Sequence, residues 1–317
     1  MTDLLTGLSS GLLTTDALSV LVVAFGVGIV VGLTGMGGGA LMTPALIFLG
    51  VNPAAAVAND LVAASVNKSV GAAVHWRLGS PNLKLAGYLV LGSVPFAFAG
   101  GFIVKSLGDE EAKTDFLTHA IGVALLFAAA SYALRMYLQL RYVASGNVAS
   151  EIEPRINPLA TVAVGAVGGL LVGITSVGSG SLIMVSLLLL YPRLAAPRLV
   201  GTDLVQAVPL VLAAAVGHVL TEGVTSAVLI PLIIGGTPGT FLGAKLAGWV
   251  SQSVIRRGIV LVLALTGLKM LGVPPEWVGI LGAGFLLLGP LAWGWVRQRS
   301  GLPAFDNDSA AWRVPKS

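Results

Sequence analysis

Apolar segments fill this chain almost end to end, and that pattern leaves few folds open. They run over 17–34, 39–50, 53–75, 82–105 and 116–140 and then, past a polar stretch at 143–157, over 158–177, 180–191, 197–220, 224–248, 253–272 and 276–296. Backbone in lipid must satisfy its hydrogen bonds internally, so such segments fold as helices. A spanning helix needs about 20 apolar residues. Segments 39–50 and 180–191 fall short and are expected to be half-helices or re-entrant arms, with tilted short crossings as the alternative. Only 10% of residues are charged, against about 25% in soluble domains, and the mean hydropathy is +0.92. The chain is therefore an all-α integral membrane protein. Its net charge of +4 concerns orientation in the membrane and does not point to nucleic acid. With no cysteine, disulfides and thiolate metal sites are excluded. Met1 to Asp16 holds Asp3 and Asp16 but no Lys or Arg; a signal peptide has a basic start, so the first apolar run reads as a retained helix.

The two halves repeat. Val31-Gly32-Leu33-Thr34 matches Val172-Gly173-Ile174-Thr175, and Gly37 and Gly39 match Gly178 and Gly180, at an offset of 141. After a two-residue insertion the offset is 143: Asp60-Leu61-Val62 matches Asp203-Leu204-Val205, His75 matches His218, and Gly92, Pro95 and Gly100 match Gly235, Pro238 and Gly243. This sets out a first membrane repeat at 17–142, a cytoplasmic linker at 143–157, a second repeat at 158–275, an extra helix at 276–296 and a cytoplasmic tail at 297–317. Each repeat holds five segments, and an odd number flips the second copy. Charge agrees with the flip. With linker and tail inside, 14 of the 18 Lys and Arg fall on the cytoplasmic side and only Lys105 and Lys113 fall outside, Lys68 and Lys269 lying within segments. The positive-inside rule expects that asymmetry. A second half of the same orientation would strand Arg193, Arg198, Lys245, Arg256 and Arg257 outside. The expectation is an inverted repeat with the N-terminus outside and the C-terminus cytoplasmic, multi-pass in the inner (plasma) membrane.

Two glycine clusters are the first candidate site: Gly35, Gly37, Gly38 and Gly39, and their echo Gly178-Ser179-Gly180. Glycine lets a ligand or another backbone approach closely. A helix starting after such a break aims free N–H groups and the positive end of its dipole into the gap, and inverted-repeat carriers use paired broken helices to hold anions near the midplane. Tight helix packing is the competing explanation. Pro44, Pro95 and Pro238 are expected to break or kink their helices.

Asp60, Ala64, Asn67, Lys68, Gly71 and His75 recur at the spacing of one helical face. A charge at the bilayer centre costs about 3 kcal/mol, so Asp60 and Lys68 need partners. Two turns apart, they are expected to face other groups rather than each other. The second copy keeps Asp203 and His218, adds Gln206, and has Val211 opposite Lys68. Lys68, with Asn67, Gln206 and the glycine clusters, is therefore the candidate anion site. Asp60, Asp203, His75 and His218 are the candidate proton carriers, the alternatives being helix N-capping for the aspartates and interfacial hydrogen bonding for the histidines. No H-E-x-x-H or G-x-x-x-x-G-K-[ST] pattern is present, and no enzyme activity, metal or cofactor is expected.

Gly-Met-Gly-Gly-Gly-Ala-Leu-Met-Thr-Pro at 35–44 resembles the signature of the TauE/SafE sulfite-exporter group, the TSUP transporters. The resemblance extends through Asn52-Pro53 and Asp60, includes the weaker copy at 172–203, and covers roughly 17–296. The chain departs in having Ala58-Asn59-Asp60 where members often carry Gly-Thr and a small residue, although Gly201-Thr202 stands in the second half. The resemblance implies a secondary carrier, driven by a proton or ion gradient, that exports sulfite, a sulfonate or a related small anion. An anion channel or a carrier for a small carboxylate is the alternative. The expected partners are that anion and the lipid bilayer, with a monomer or homodimer as the unit.

Overall fold

The computed structural model describes residues 15–34, 38–78, 81–144, 155–192, 194, 196–246, 249 and 252–301. Among them are eleven helices and no strand. The first half gives α1 (Thr15–Thr34), α2 (Gly39–Phe48), α3 (Pro53–Leu78), α4 (Leu83–Ser106) and α5 (Glu110–Ala144). The second gives α6 (Pro158–Thr175), α7 (Leu182–Leu190), α8 (Ala196–Thr221), α9 (Ser226–Leu246) and α10 (Gln252–Met270), followed by α11 (Pro275–Arg299). Seven of these, α1, α4, α5, α6, α8, α9 and α11, are long and apolar enough to cross a membrane. The helices α4 and α9 run unbroken through Pro95 and Pro238, and α2 through Pro44, so none of these prolines ends its helix.

The short segments are half-helices. At 1.5 Å per residue, α2 and α7 reach only about 15 Å, half of a hydrocarbon core about 30 Å thick. Each folds back on the helix before it. Leu46 of α2 packs in one cluster with Val20 and Ala24 of α1, and Gly26 and Phe48 line the same apolar groove. A methyl group at Gly168 of α6 would lie 2.5 Å from the Ile183 side chain of α7.

Helices from opposite halves pack closely through glycine. A methyl group at Gly28 would sit 2.6 Å from the Gly236 carbonyl oxygen, and one at Gly32 would sit 2.1 Å from that of Thr240. The other half repeats this register: Gly169 meets the Ser93 carbonyl at 2.3 Å and Gly173 that of Ala97 at 2.4 Å. Gly235 on Leu21 and Gly92 on Val162 form a third matched pair. Every partner in one set maps onto its counterpart by the sequence offsets of 141 and 143. In both sets residue numbers rise together, so α1 runs parallel to α9 and α4 parallel to α6. The α3–α8 and α5–α10 pairs join the halves between them, and α11 stands at the edge with Leu286, Leu287 and Leu288 exposed.

Candidate functional site

The polar stripe of α3 reaches both hairpins. α3 starts at Pro53, which places Asp60 two turns inside the helix and rules out an N-cap role; Asp203, equally far into α8, is no N-cap either. Asp60 is 2% exposed. Its Oδ2 accepts one bond from Thr43 Oγ1 of α2 and one from Ser176 Oγ in the turn after α6, each 2.7 Å. A hydroxyl bound to a carboxylate is a strong, charge-assisted donor, so this one oxygen ties hairpin α1–α2 to the end of α6.

Two turns further on, Lys68 Nζ donates to Ser179 Oγ at the second glycine cluster. Asn67 Oδ1 accepts from Thr237 Oγ1 of α9 at 3.0 Å. Asp60 and Lys68 thus face different groups, as their separation along α3 requires. An ammonium has three donors, and the Ser179 bond uses one of them. Lys68 also interacts electrostatically with Asp203 and Asp60, although neither forms a salt bridge with it among the described residues.

The second copy is built differently. Asp203 Oδ1 accepts from Gln206 Nε2 at 2.9 Å, one turn along α8. Gln206 is fully buried and its Oε1 has no hydrogen-bond partner. Buried acceptors are rarely left so, and this one suits a donor brought by a ligand or water.

At the tips, Gly38 precedes α2 and Gly39 opens it, with no side-chain cap on the first turn. Ser181 precedes α7, also without a side-chain cap. Gly178 has φ +118, a conformation that glycine adopts freely. Ser176 closes α6 in the left-handed region at φ 61. The two tips touch, for a methyl at Gly39 would lie 2.0 Å from the Ser176 carbonyl oxygen. Tyr132 of α5 donates to the Gly180 carbonyl at 3.5 Å.

The structure therefore gathers Gly38, Gly39, Asp60, Asn67, Lys68, Gly178, Ser179 and Gly180 around the hairpin ends, with Asp203 and Gln206 on the neighbouring helix. Gly35 and Gly37 lie outside the described residues, as does the side chain of His75. His218 is fully buried, its Nε2 paired with the Gly173 carbonyl at 2.6 Å and its Nδ1 without a partner. It fastens α8 to the last turn of α6. Thr43, Ser176 and Tyr132 were not among the expected residues. Thr43 and Ser176 are hydroxyls flanking glycine breaks, and that position was a signal; nothing local marks Tyr132.

The sequence matches the family described as Sulfite exporter TauE/SafE over residues 20–270. It is 35% identical over 257 residues to a probable membrane transporter protein, YjnA, of Bacillus subtilis (strain 168), covering 80% of this chain and 100% of that protein. A second probable membrane transporter protein of the same organism, YdhB, is 26% identical over 257 residues, covering 80% and 99%. No solved structure matches the chain significantly.

Proposed function

Because the chain belongs to the TauE/SafE sulfite exporter family, and so to a family of multi-pass membrane transporters, we propose that it is a secondary exporter of a small sulfur-containing anion such as sulfite or an organosulfonate. The observation that carries this is the Lys68 ammonium held against Ser179 at the tip of the second hairpin. It is a fixed cation beside two uncapped helix N-termini, with hydroxyl and amide groups to orient an oxyanion. The anion binds beside the touching tips, on Lys68, Asn67, Ser179 and the backbone of Gly38, Gly39, Gly178 and Gly180.

The carrier is built as an inverted repeat, 17–142 against 158–275. Parallel packing of α1 on α9 and of α4 on α6, with each short helix folding back on its predecessor, supports the inversion. A reversal at each hairpin makes α1 antiparallel to α4, and so to α6, its own copy. The basic residues then place the linker 143–157 and the tail 297–317 in the cytoplasm of a cell with this protein in its inner membrane.

Asp60 carries the coupling proton. Its one oxygen joins both hairpins through Thr43 and Ser176, so protonation weakens the tie at both ends together. Asp203, which accepts from Gln206, is the second candidate proton carrier, and His75 and His218 lie on the same two helices.

Counterflow in proteoliposomes, with sulfite, sulfoacetate, taurine, sulfate and acetate offered in turn, tests the reading. Saturable exchange of a sulfur anion is expected, stimulated by an imposed pH gradient and lost in Lys68→Ala. In Asp60→Asn, exchange should persist without the gradient response. Unchanged saturable transport in Lys68→Ala removes that residue from the site, and flux that neither saturates nor responds to pH makes the protein a channel.

A further inference from the structure

Away from the hairpin tips, an apolar groove of about 510 Å³ lies between α1, α2 and α10. It is lined by Gly26 of α1, by α2 from Ala40 to Phe48, and by α10 from Ile255 to Thr266. Ligand pockets run to about 300–1,000 Å³. Thr266 is the one polar side chain among the described residues that line it.

Glycine, which closes helices together elsewhere in this fold, here leaves room. A methyl at Gly26 or at Gly258 of α10 would meet nothing within 4 Å, whereas one at Gly28 would lie 2.6 Å from backbone. Both open glycines line the groove. Its length matches one leaflet. The span from Ile255 to Thr266 is about 16 Å at 1.5 Å per residue, and half of a hydrocarbon core is about 15 Å. Water held in a cleft needs polar partners, which this lining does not offer. An acyl chain needs none.

The groove also has a charged end. One turn beyond Thr266, the Lys269 ammonium lies 4.4 Å from the centroid of the Phe48 ring. The ring faces of aromatic side chains attract cations, so Phe48 both lines the groove and holds the lysine at its end. Lys269 is exposed, and no carboxylate among the described residues forms a salt bridge with it. A cation at the mouth of an apolar trough one leaflet long is the layout that a phospholipid fits. A zwitterionic headgroup would bring its own ammonium to compete for the phosphate, so the charge favours an anionic one.

We propose that this groove binds one anionic phospholipid, with an acyl chain along Gly26 and Gly258 and the phosphate on Lys269. The lipid backs the hairpin that carries the site. One side of α2 lines the groove, and from its other side Thr43 donates to Asp60. A filled groove thus holds α2 where the Asp60 bond requires it. Neither the substrate nor the role of Lys68 enters this assignment.

Native mass spectrometry of the full chain counts retained lipid after equilibration with dioleoylphosphatidylglycerol, dioleoylphosphatidylcholine or an equal mixture. One phosphatidylglycerol per chain is expected, preferred about tenfold or more, as a charge-assisted bond implies. Lys269→Gln should keep one lipid and lose the preference. Gly258→Leu should fill the groove and retain neither lipid, and Gly26→Leu serves if that variant does not fold. Gly284→Leu on α11, where a methyl also meets nothing within 4 Å, should retain the lipid as the wild type does. Added phosphatidylglycerol should raise the Tm of the wild type and not that of Gly258→Leu. Retention unchanged in both groove variants overturns the proposal, as does a wild type that binds the two lipids equally or shows no Tm shift. A preference that survives in Lys269→Gln overturns it too. Paired chains without lipid, separated by Gly258→Leu, would instead give the groove to a second copy.

Discussion

Gly38 and Gly39 are neighbours in one glycine cluster, yet the structure gives their alanine substitutions opposite signs. A methyl at Gly39 would lie 2.0 Å from the Ser176 carbonyl oxygen and 2.6 Å from its Oγ. A carbon needs about 3.3 Å from a carbonyl oxygen, so the hairpin tips must part by about 1.3 Å. Ser176 yields poorly: its N–H is bound to the Val172 carbonyl at 2.8 Å and its Oγ to Asp60 at 2.7 Å. A displacement of that size takes the Asp60 bond out of the usual range of about 2.5–3.0 Å. Overpacking costs about 1–3 kcal/mol, and losing a hydroxyl–carboxylate bond adds about 1.5–3 kcal/mol. At Gly38 the backbone is already helical, at φ −60 and ψ −28, and a methyl would make ordinary contact with Val31 Cγ2 at 3.7 Å. Alanine there should be neutral or stabilise by about 0.4–1 kcal/mol through the unfolded chain. Thermal unfolding of the purified protein should show a marked fall in Tm for Gly39→Ala and none for Gly38→Ala. Equal stability in the two variants would refute the contact between the tips.

Thr43→Val keeps the shape of the side chain but removes one donor from Asp60; stability should fall by about 1.5–3 kcal/mol, read as a lower Tm. Gly28→Ala and Gly169→Ala occupy matched positions, with methyls 2.6 and 2.3 Å from backbone oxygens. Both should destabilise by about 1–3 kcal/mol, and a large effect in one with none in the other would contradict the shared register. The absence of native cysteine makes topology testable with single substitutions: Leu83→Cys and Ser226→Cys mark equivalent positions at the offset of 143. An impermeant thiol reagent should reach the first only from the cytoplasmic face and the second only from outside; labelling from one face is incompatible with inversion.

The helices were legible because lipid imposes one rule on every segment, and the boundaries of α2 and α7 followed from runs too short to cross. The stripe on α3 was legible for a similar reason: Asp60 and Lys68 are too costly in an apolar helix to stand there without partners. The partners themselves were not. Thr43 lies 17 residues from Asp60, and Ser176 lies 116, so their meeting depends on how the two hairpins fold back. N-capping was a fair alternative for Asp60 as long as the start of α3 was unknown. Of the two outcomes expected at proline, a break or a kink, the break does not occur: α4 and α9 continue through Pro95 and Pro238.

The register of the scaffold is shared by the two halves, whereas the polar side chains that meet across them are present once. Lys68 corresponds to Val211, Asn67 to Leu210, Ser179 to Gly38, Ser176 to Gly35 and Thr237 to Val94. In each pair only one half has a polar side chain. The contacts Lys68–Ser179, Asp60–Ser176 and Asn67–Thr237 all join the halves, with α3 of the first half meeting hydroxyls of the second. A two-fold arrangement with equal halves would place two cations at the centre, and each would oppose the other. Keeping only Lys68 removes that repulsion. The glycines that let the backbones approach are kept in both halves, because the same close helix register holds both sides of the scaffold.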